Sequence, residues 1–211
     1  MKQSVFLATV YLVFCSLSGC ATVFSDYQSA KMAGKGKVEI TPSMTAVSLW
    51  ANKENDHAQT NIGGELAVGV HERIDIRIGY MYLDTDGDGG FNAIGFGPKI
   101  SLDPEKVALY LPVGFAFNNS LEAAETWELH PTLLLTHTVN ERVEITPSVK
   151  AIVPLTNSDS GVLMAFNLGA GIGHNEDPVI MRPEIGVLTS PGDRGVYWSA
   201  GIGVTVKLSA L

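Results

Sequence analysis

The amino-acid sequence predicts an all-β chain, a closed antiparallel up-and-down transmembrane β-barrel of ten strands, with eight or twelve as alternatives. Three observations predict it. From about Lys37 to Ser209, apolar residues occupy every second position, the period of strands with one apolar and one polar face. The connections alternate between short and long, as where tight turns lie on one side of a membrane and longer loops on the other. The polar face is crowded with glycine and with charges of both signs, which suits a narrow interior better than a solvated surface.

The N-terminus is read first. Residues 1–19 have the build of an export signal: Lys2, an apolar run from Val5 to Cys15, then Ser18 and Gly19. The run is too short for a spanning helix, which needs roughly 20 apolar residues. Leu17-Ser18-Gly19-Cys20 resembles the lipobox of bacterial lipoproteins. The resemblance implies cleavage before Cys20 and acylation of its sulfur and amine. Ala21 stands where an Asp would commonly retain such a protein at the inner membrane, so the route to the outer membrane is open. Residues 20–36 then read as an acylated polar tether, and 37–211 as the barrel. With Cys15 removed and Cys20 acylated, no thiol remains for a disulfide or a nucleophile.

Strands are expected near 37–50, 60–71, 73–83, 91–102, 106–118, 126–139, 142–153, 161–173, 178–189 and 195–209. Short connections fall at 71–73, 103–105, 140–142 and 175–178; longer ones at 51–59, 84–90, 119–126, 156–160 and 190–194. Both chain ends then lie on the short-turn side, the periplasmic side of such barrels. A lipid on Cys20 in the inner leaflet needs the first strand to start there.

Alternation alone does not say which face is inside, since a soluble lipocalin-like barrel has the same rhythm with apolar residues inward. Glycines on the polar face, from Gly63 to Gly203, suit a cramped lumen. Glu39, Glu65, Asp75, Glu128, Glu144 and Glu184 are balanced by Arg77, Lys99, Lys150, Arg182 and Lys207, as charges enclosed together require. Trp50, Tyr80, Tyr82, Phe91, Phe115, Phe117, Trp127, Tyr197 and Trp198 gather beside the long loops, most of them on the apolar face, as an aromatic girdle at a lipid–water boundary requires. The apolar face is therefore assigned to lipid. Strands of about twelve residues tilted about 40° rise roughly 30 Å, enough for the apolar band. Pro42, Pro98, Pro131, Pro147 and Pro183 fall on this face, and each is expected at a bulge or strand end because it lacks a ladder donor.

Candidate chemistry is sparse. The charged fraction of 17% and net charge of −8 argue against a nucleic-acid partner, which selects basic stripes. Asp84, Asp86 and Asp88 match the first half of a calcium loop, but Gly95 stands where the bidentate Glu belongs. A plain polar loop is the stronger reading, with weak Ca2+ binding the alternative and no other cofactor expected. The Asp86/Asp88 pair and Asp56-His57 are similar to the catalytic residues of omptin-type surface proteases only in composition. The chain is far shorter, and its Asp and His are adjacent. His130 faces the lumen two residues from Glu128, which makes a satisfied lumen histidine or a hydrolytic His-acid pair. His137 faces lipid between Thr136 and Thr138. For a backbone radius of roughly 10 Å, side chains largely fill the interior, and Glu128, Arg182, Glu184, Arg77, Lys99 and Lys150 are expected to form a lumen charge network that narrows or plugs any channel.

Gly203, Val206 and Leu208 resemble the last-strand pattern of barrels inserted by the outer-membrane assembly machinery, although the chain ends Ser209-Ala210-Leu211 rather than in an aromatic. Taken together, the chain resembles a small bacterial outer-membrane β-barrel lipoprotein of the porin-like type. The resemblance implies outer-membrane lipid and lipopolysaccharide as surroundings and that machinery as a transient partner. It implies a non-catalytic role, structural or as a narrow passage for small polar solutes. A membrane-embedded hydrolase and a surface-binding module acting through the long loops are the alternatives.

Overall fold

The computed structural model describes residues 23, 25–51, 54–85, 89–156, 161–174, 177–189 and 196–208. The signal 1–19, Cys20, Asp86 and Asp88 lie outside the described residues. Alternating residues give thirteen strand segments. These are β1 (Val38–Ala51), β2 (Glu54–His71), β3 (Ile74–Thr85), β4 (Gly89–Asp103), β5 (Val107–Tyr110), β6 (Val113–Phe117) and β7 (Glu128–Leu129). They continue with β8 (Thr132–Leu135), β9 (His137–Asn140), β10 (Val143–Pro154), β11 (Leu163–Ile172), β12 (Val179–Thr189) and β13 (Val196–Leu208). Segments β5 and β6 form one stave, and β7, β8 and β9 form another, so the described strands make ten staves. Each pairs antiparallel with its sequence neighbour, and β1 pairs with both β2 and β13. The sheet closes on itself and leaves no edge.

The apolar face is outside. Met44, Ile62, Ile78 and Ile185 are each more than half exposed, while Asp75, Lys99, Arg77 and Thr205 on the alternate positions are buried. A soluble barrel would invert that arrangement. This is the architecture of a transmembrane β-barrel. Among the aromatics, Trp50, Tyr80, Tyr82 and Trp198 face outward near the long-loop end, and Phe115 stacks on Trp127 at 4.8 Å. Tyr197 faces inward instead, packed with Val47, Ile152, Ala165 and Leu188.

Three expectations are corrected. The connection expected over 51–59 is mostly strand, because β2 begins at Glu54 and pairs with β1 as far as Ala51. Ladder hydrogen bonds do not require apolar side chains, so the hairpin continues through Asn55, Asp56 and His57 past the apolar band. A register shift at Val47/Ser48 absorbs the change.

The prolines do not all sit at bulges or ends. Pro42, Pro98, Pro147 and Pro183 lie within strands, and each pairs in register with one neighbour, opposite Gly64, Ile76, Leu168 and Ile202 respectively. The ladder is interrupted only on the other side. A missing N–H removes a bond toward one neighbour, and one interruption accommodates it. The breaks between β5 and β6 at Leu111-Pro112 and between β7 and β8 at His130-Pro131 arise in the same way.

The third correction concerns the tether. Residues Ser25–Gly36 are not a linker beneath the barrel: they run inside it. Asp26 to Ala30 are all buried, and the chain joins β1 through a turn at the short-turn rim, where Gly34 and Gly36 have φ of 91° and 76°. Only glycine takes such angles without strain. The turn is locked by Gly36 N–H on the Gly69 carbonyl at 2.7 Å. A β-carbon on Gly69 would overlap the Gly34 carbonyl.

Candidate functional site: a lumen closed by the N-terminal segment

From the rim the segment climbs the lumen in an order that can be followed through its partners. Ala33 N–H donates to Asp75 Oδ2 at 3.0 Å, near the start of β3. Lys31 pairs with Glu144 at 2.9 Å, and Ala30 N–H donates to Thr136 Oγ1 at 2.7 Å. Lys99 Nζ donates to the carbonyls of Ser29 and Lys31 at 2.7 and 2.6 Å. At mid-height Asp26 pairs with Lys150 at 2.8 Å and accepts from Ser148 at 2.7 Å and Asn167 at 2.9 Å. The wall therefore meets backbone and side-chain groups along the segment, as buried polar groups demand, with the Gln28 carboxamide an exception.

Tyr27 is the anchor. Its φ of 47° lies in the left-handed region, where a bulky residue is uncommon. The bend turns two successive N–H groups, of Asp26 and Tyr27, onto the two oxygens of Glu184 at 2.8 and 2.9 Å. This is the geometry by which consecutive amides cradle an anion. The phenol reaches across β13 to Thr45 of β1 at 2.5 Å and donates to the Met44 carbonyl at 3.2 Å. Beneath it lie Gly201 and Gly203: a β-carbon on Gly201 would overlap the Tyr27 hydroxyl, and one on Gly203 would come within 2.9 Å of Tyr27 Cβ.

The six residues expected to form one lumen network are all buried inward, but their partners divide them. Lys99, Lys150 and Glu184 hold the N-terminal segment. Arg182 pairs with Glu144 at 3.0 Å and donates to Thr205 at 2.9 Å. Arg77 sits among Glu65, Glu39 at 3.7 Å and Asp75 at 3.6 Å. Glu128 is joined to His130 Nε2 at 2.8 Å. The segment, absent from the sequence reading of the site, joins two of these sets to itself, the Arg182 set through Lys31 on Glu144 and the Arg77 set through Ala33 N–H on Asp75. The signal lay in the stretch Ser25-Asp26-Tyr27-Gln28, whose large aromatic and acidic residue are unusual in a flexible linker.

The His130–Glu128 pair has the form of a base oriented by a carboxylate. The nearby hydroxyls are spent otherwise: Thr126 donates to the Ala116 carbonyl at 2.6 Å and Thr132 to the His130 carbonyl at 3.0 Å. On the long-loop side, His57 Nε2 meets Thr60 at 3.1 Å, and Asp84 is exposed at the end of β3 opposite Gly90. Among the described residues, no group of three or more His, Cys, Asp or Glu side chains converges on one point as metal ligands.

No protein-family model and no curated protein matches this sequence. Among solved structures, the chain is similar to the translocator domain of the autotransporter NalP from Neisseria meningitidis. That match has 7% identity and a TM-score of 0.47, and covers 97% of this chain and 96% of that one. It is also similar to Ail, the attachment invasion locus protein of Yersinia pestis, at 11% identity and TM-score 0.38, over 82% of this chain and 99% of that one. The N-terminal β-barrel domain of OprF from Pseudomonas aeruginosa matches at 11% identity and TM-score 0.37, over 83% of this chain and 99% of that one. At such identities the likeness concerns barrel shape alone.

Proposed function

We propose that the chain is a non-catalytic, lipid-anchored barrel of the bacterial outer membrane whose bore is closed by its own N-terminal segment. It is a structural barrel rather than an open passage for small polar solutes. The observation that carries this reading is the course of Ser25–Gly36 through the lumen, bonded to β3, β4, Thr136 between β8 and β9, β10, β11 and β12 on the way. A barrel of roughly 10 Å backbone radius, lined by side chains and also holding a polypeptide, leaves no continuous path for hydrated solutes. The exposed apolar band and the lipobox resemblance at Cys20 support the membrane address.

The lipid and the segment make separate demands on the chain. The carbonyl of Ser25, five residues after Cys20, lies 3.2 Å from Lys150 Nζ, inside the barrel and away from its short-turn rim. Anchoring is tested by metabolic labelling with an alkynyl palmitate: label on the wild-type chain that is absent from Cys20→Ala supports it, and an unlabelled wild type ends it. Closure is tested in planar bilayers. The intact barrel is expected to be silent. Replacing residues 25–33 by a Gly/Ser linker is expected to give resolved openings, with heat-modifiable gel mobility showing that the barrel still folds. Steady openings of the intact chain would overturn the closure.

A further inference from the structure

The lumen is filled on one side and open on another. Gly79, Gly95 and Gly114 stand at one level on adjacent staves, Gly79 opposite Gly95 and Gly95 opposite Gly114. Among the described residues, a β-carbon on Gly79 would meet no atom nearer than 3.9 Å, and one on Gly95 none nearer than 4.0 Å. These two glycines therefore face empty space, unlike Gly201 and Gly203 under Tyr27. The space is a cavity of about 120 Å³, somewhat smaller than a cavity of about 150 Å³ that admits benzene.

Its lining is selective. Gln28 is 6% exposed and borders the cavity, and neither its Nε2 nor its Oε1 has a hydrogen-bond partner. A buried carboxamide left unpaired is costly, so an occupant that pairs it is favoured. Asp26, Glu65 and Glu128 bring carboxylates to the wall, against Lys150 and His130. Lys150 is engaged by Asp26 and His130 by Glu128, while Arg77 is shared among Glu65, Glu39 and Asp75, so the Glu65 carboxylate is only partly neutralised and the lining keeps an acidic character. Met81, Ala93 and Ala116 supply apolar surface beside the glycine row.

We propose that this cavity binds a small organic cation, a primary ammonium on a short hydrocarbon stub of about five non-hydrogen atoms in all. The ammonium donates to Gln28 Oε1 and to the carboxylates of Glu65 and Glu128, and the hydrocarbon lies along Gly79, Gly95 and Gly114. The site rests on the closed-lumen reading, since Gln28 belongs to the N-terminal segment. The bilayer measurement tests closure and the binding measurement below tests the site, so the two fail separately.

The experiment uses the full chain folded in detergent micelles, titrated with n-butylammonium chloride and, at matched ionic strength, with sodium butyrate. The readout is the NMR signal of the Gln28 side-chain amide. A saturable shift with butylammonium and none with butyrate is expected. Gly95→Val, which fills the cavity, is expected to weaken binding at least tenfold. Gly79→Val serves the same purpose should Gly95→Val not fold. A cavity holding water only would give no saturable shift, and that result overturns the proposal. So would saturation by butyrate in place of butylammonium, or undiminished binding in a folded valine variant.

Discussion

The wall built from β10, β11 and β12 and the wall built from β1, β2 and β3 solve the same problem in different ways. Both bury charges in a lumen. On the first, Lys150, Glu184 and Glu144 meet Asp26, the amides of Asp26 and Tyr27, and Lys31, all from the N-terminal segment. On the second, Arg77 meets Glu39, Glu65 and Asp75, all from the wall itself. One wall is completed by the segment and the other largely completes itself. The glycines follow the same division: Gly201 and Gly203 on β13 make room for Tyr27, while Gly79 and Gly95 face none of the described side chains within 4 Å. A self-contained wall can border an empty cavity, whereas a wall that needs the segment cannot lose it without leaving buried charges unpaired.

The comparison can be broken at its strongest point first. Arg77→Met leaves three carboxylates without their cation, and removing one partner of a buried ionic cluster costs about 3–5 kcal/mol. Urea unfolding in detergent is expected to show that loss with the lumen still closed in bilayers. A mild loss would mean that the β1–β3 wall is not self-contained.

Asp26→Ala strands Lys150 on the other wall, with an expected loss of about 3 kcal/mol. In this variant the bilayer trace is expected to flicker, because the segment has lost a mid-height anchor. The double variant Asp26→Ala/Lys150→Met is expected to recover part of the stability, and additive losses would show that the pair is not coupled.

Gly201→Val forces a side chain against Tyr27 and the β1 backbone, an overpacking that costs about 1–3 kcal/mol. Gly95→Ala is the smallest change and has the opposite sign. A β-carbon there meets open space, so stability is expected to hold or rise by up to about 1 kcal/mol through reduced freedom of the unfolded chain. If the two glycine variants behaved alike, the filled and empty sides of the lumen would not be distinct.

Much of the barrel was legible in the residues. Alternation along Val196–Leu208 placed Trp198 and Ile202 outward, where each is about two-fifths exposed. The balance of Glu39, Glu65 and Asp75 with Arg77 pointed to enclosure, since enclosed charges must be neutralised locally. The inward course of Asp26 and Tyr27 was not legible. A tether and a segment within the bore have the same polar composition, and hydrogen bonds across more than a hundred residues leave no periodic trace. Val47, Leu134 and Ile152 face inward against the prevailing alternation, because the segment and Tyr197 offer them an apolar partner that no local pattern announces.

The amino-acid sequence by itself determined a barrel with a greasy exterior and ten staves, because a period of two and the turn rhythm are local properties that each strand carries alone. Only the tertiary structure decided what fills that barrel. Which charge meets which, and which glycine is filled or left open, depends on residues brought together across the lumen after the sheet has closed.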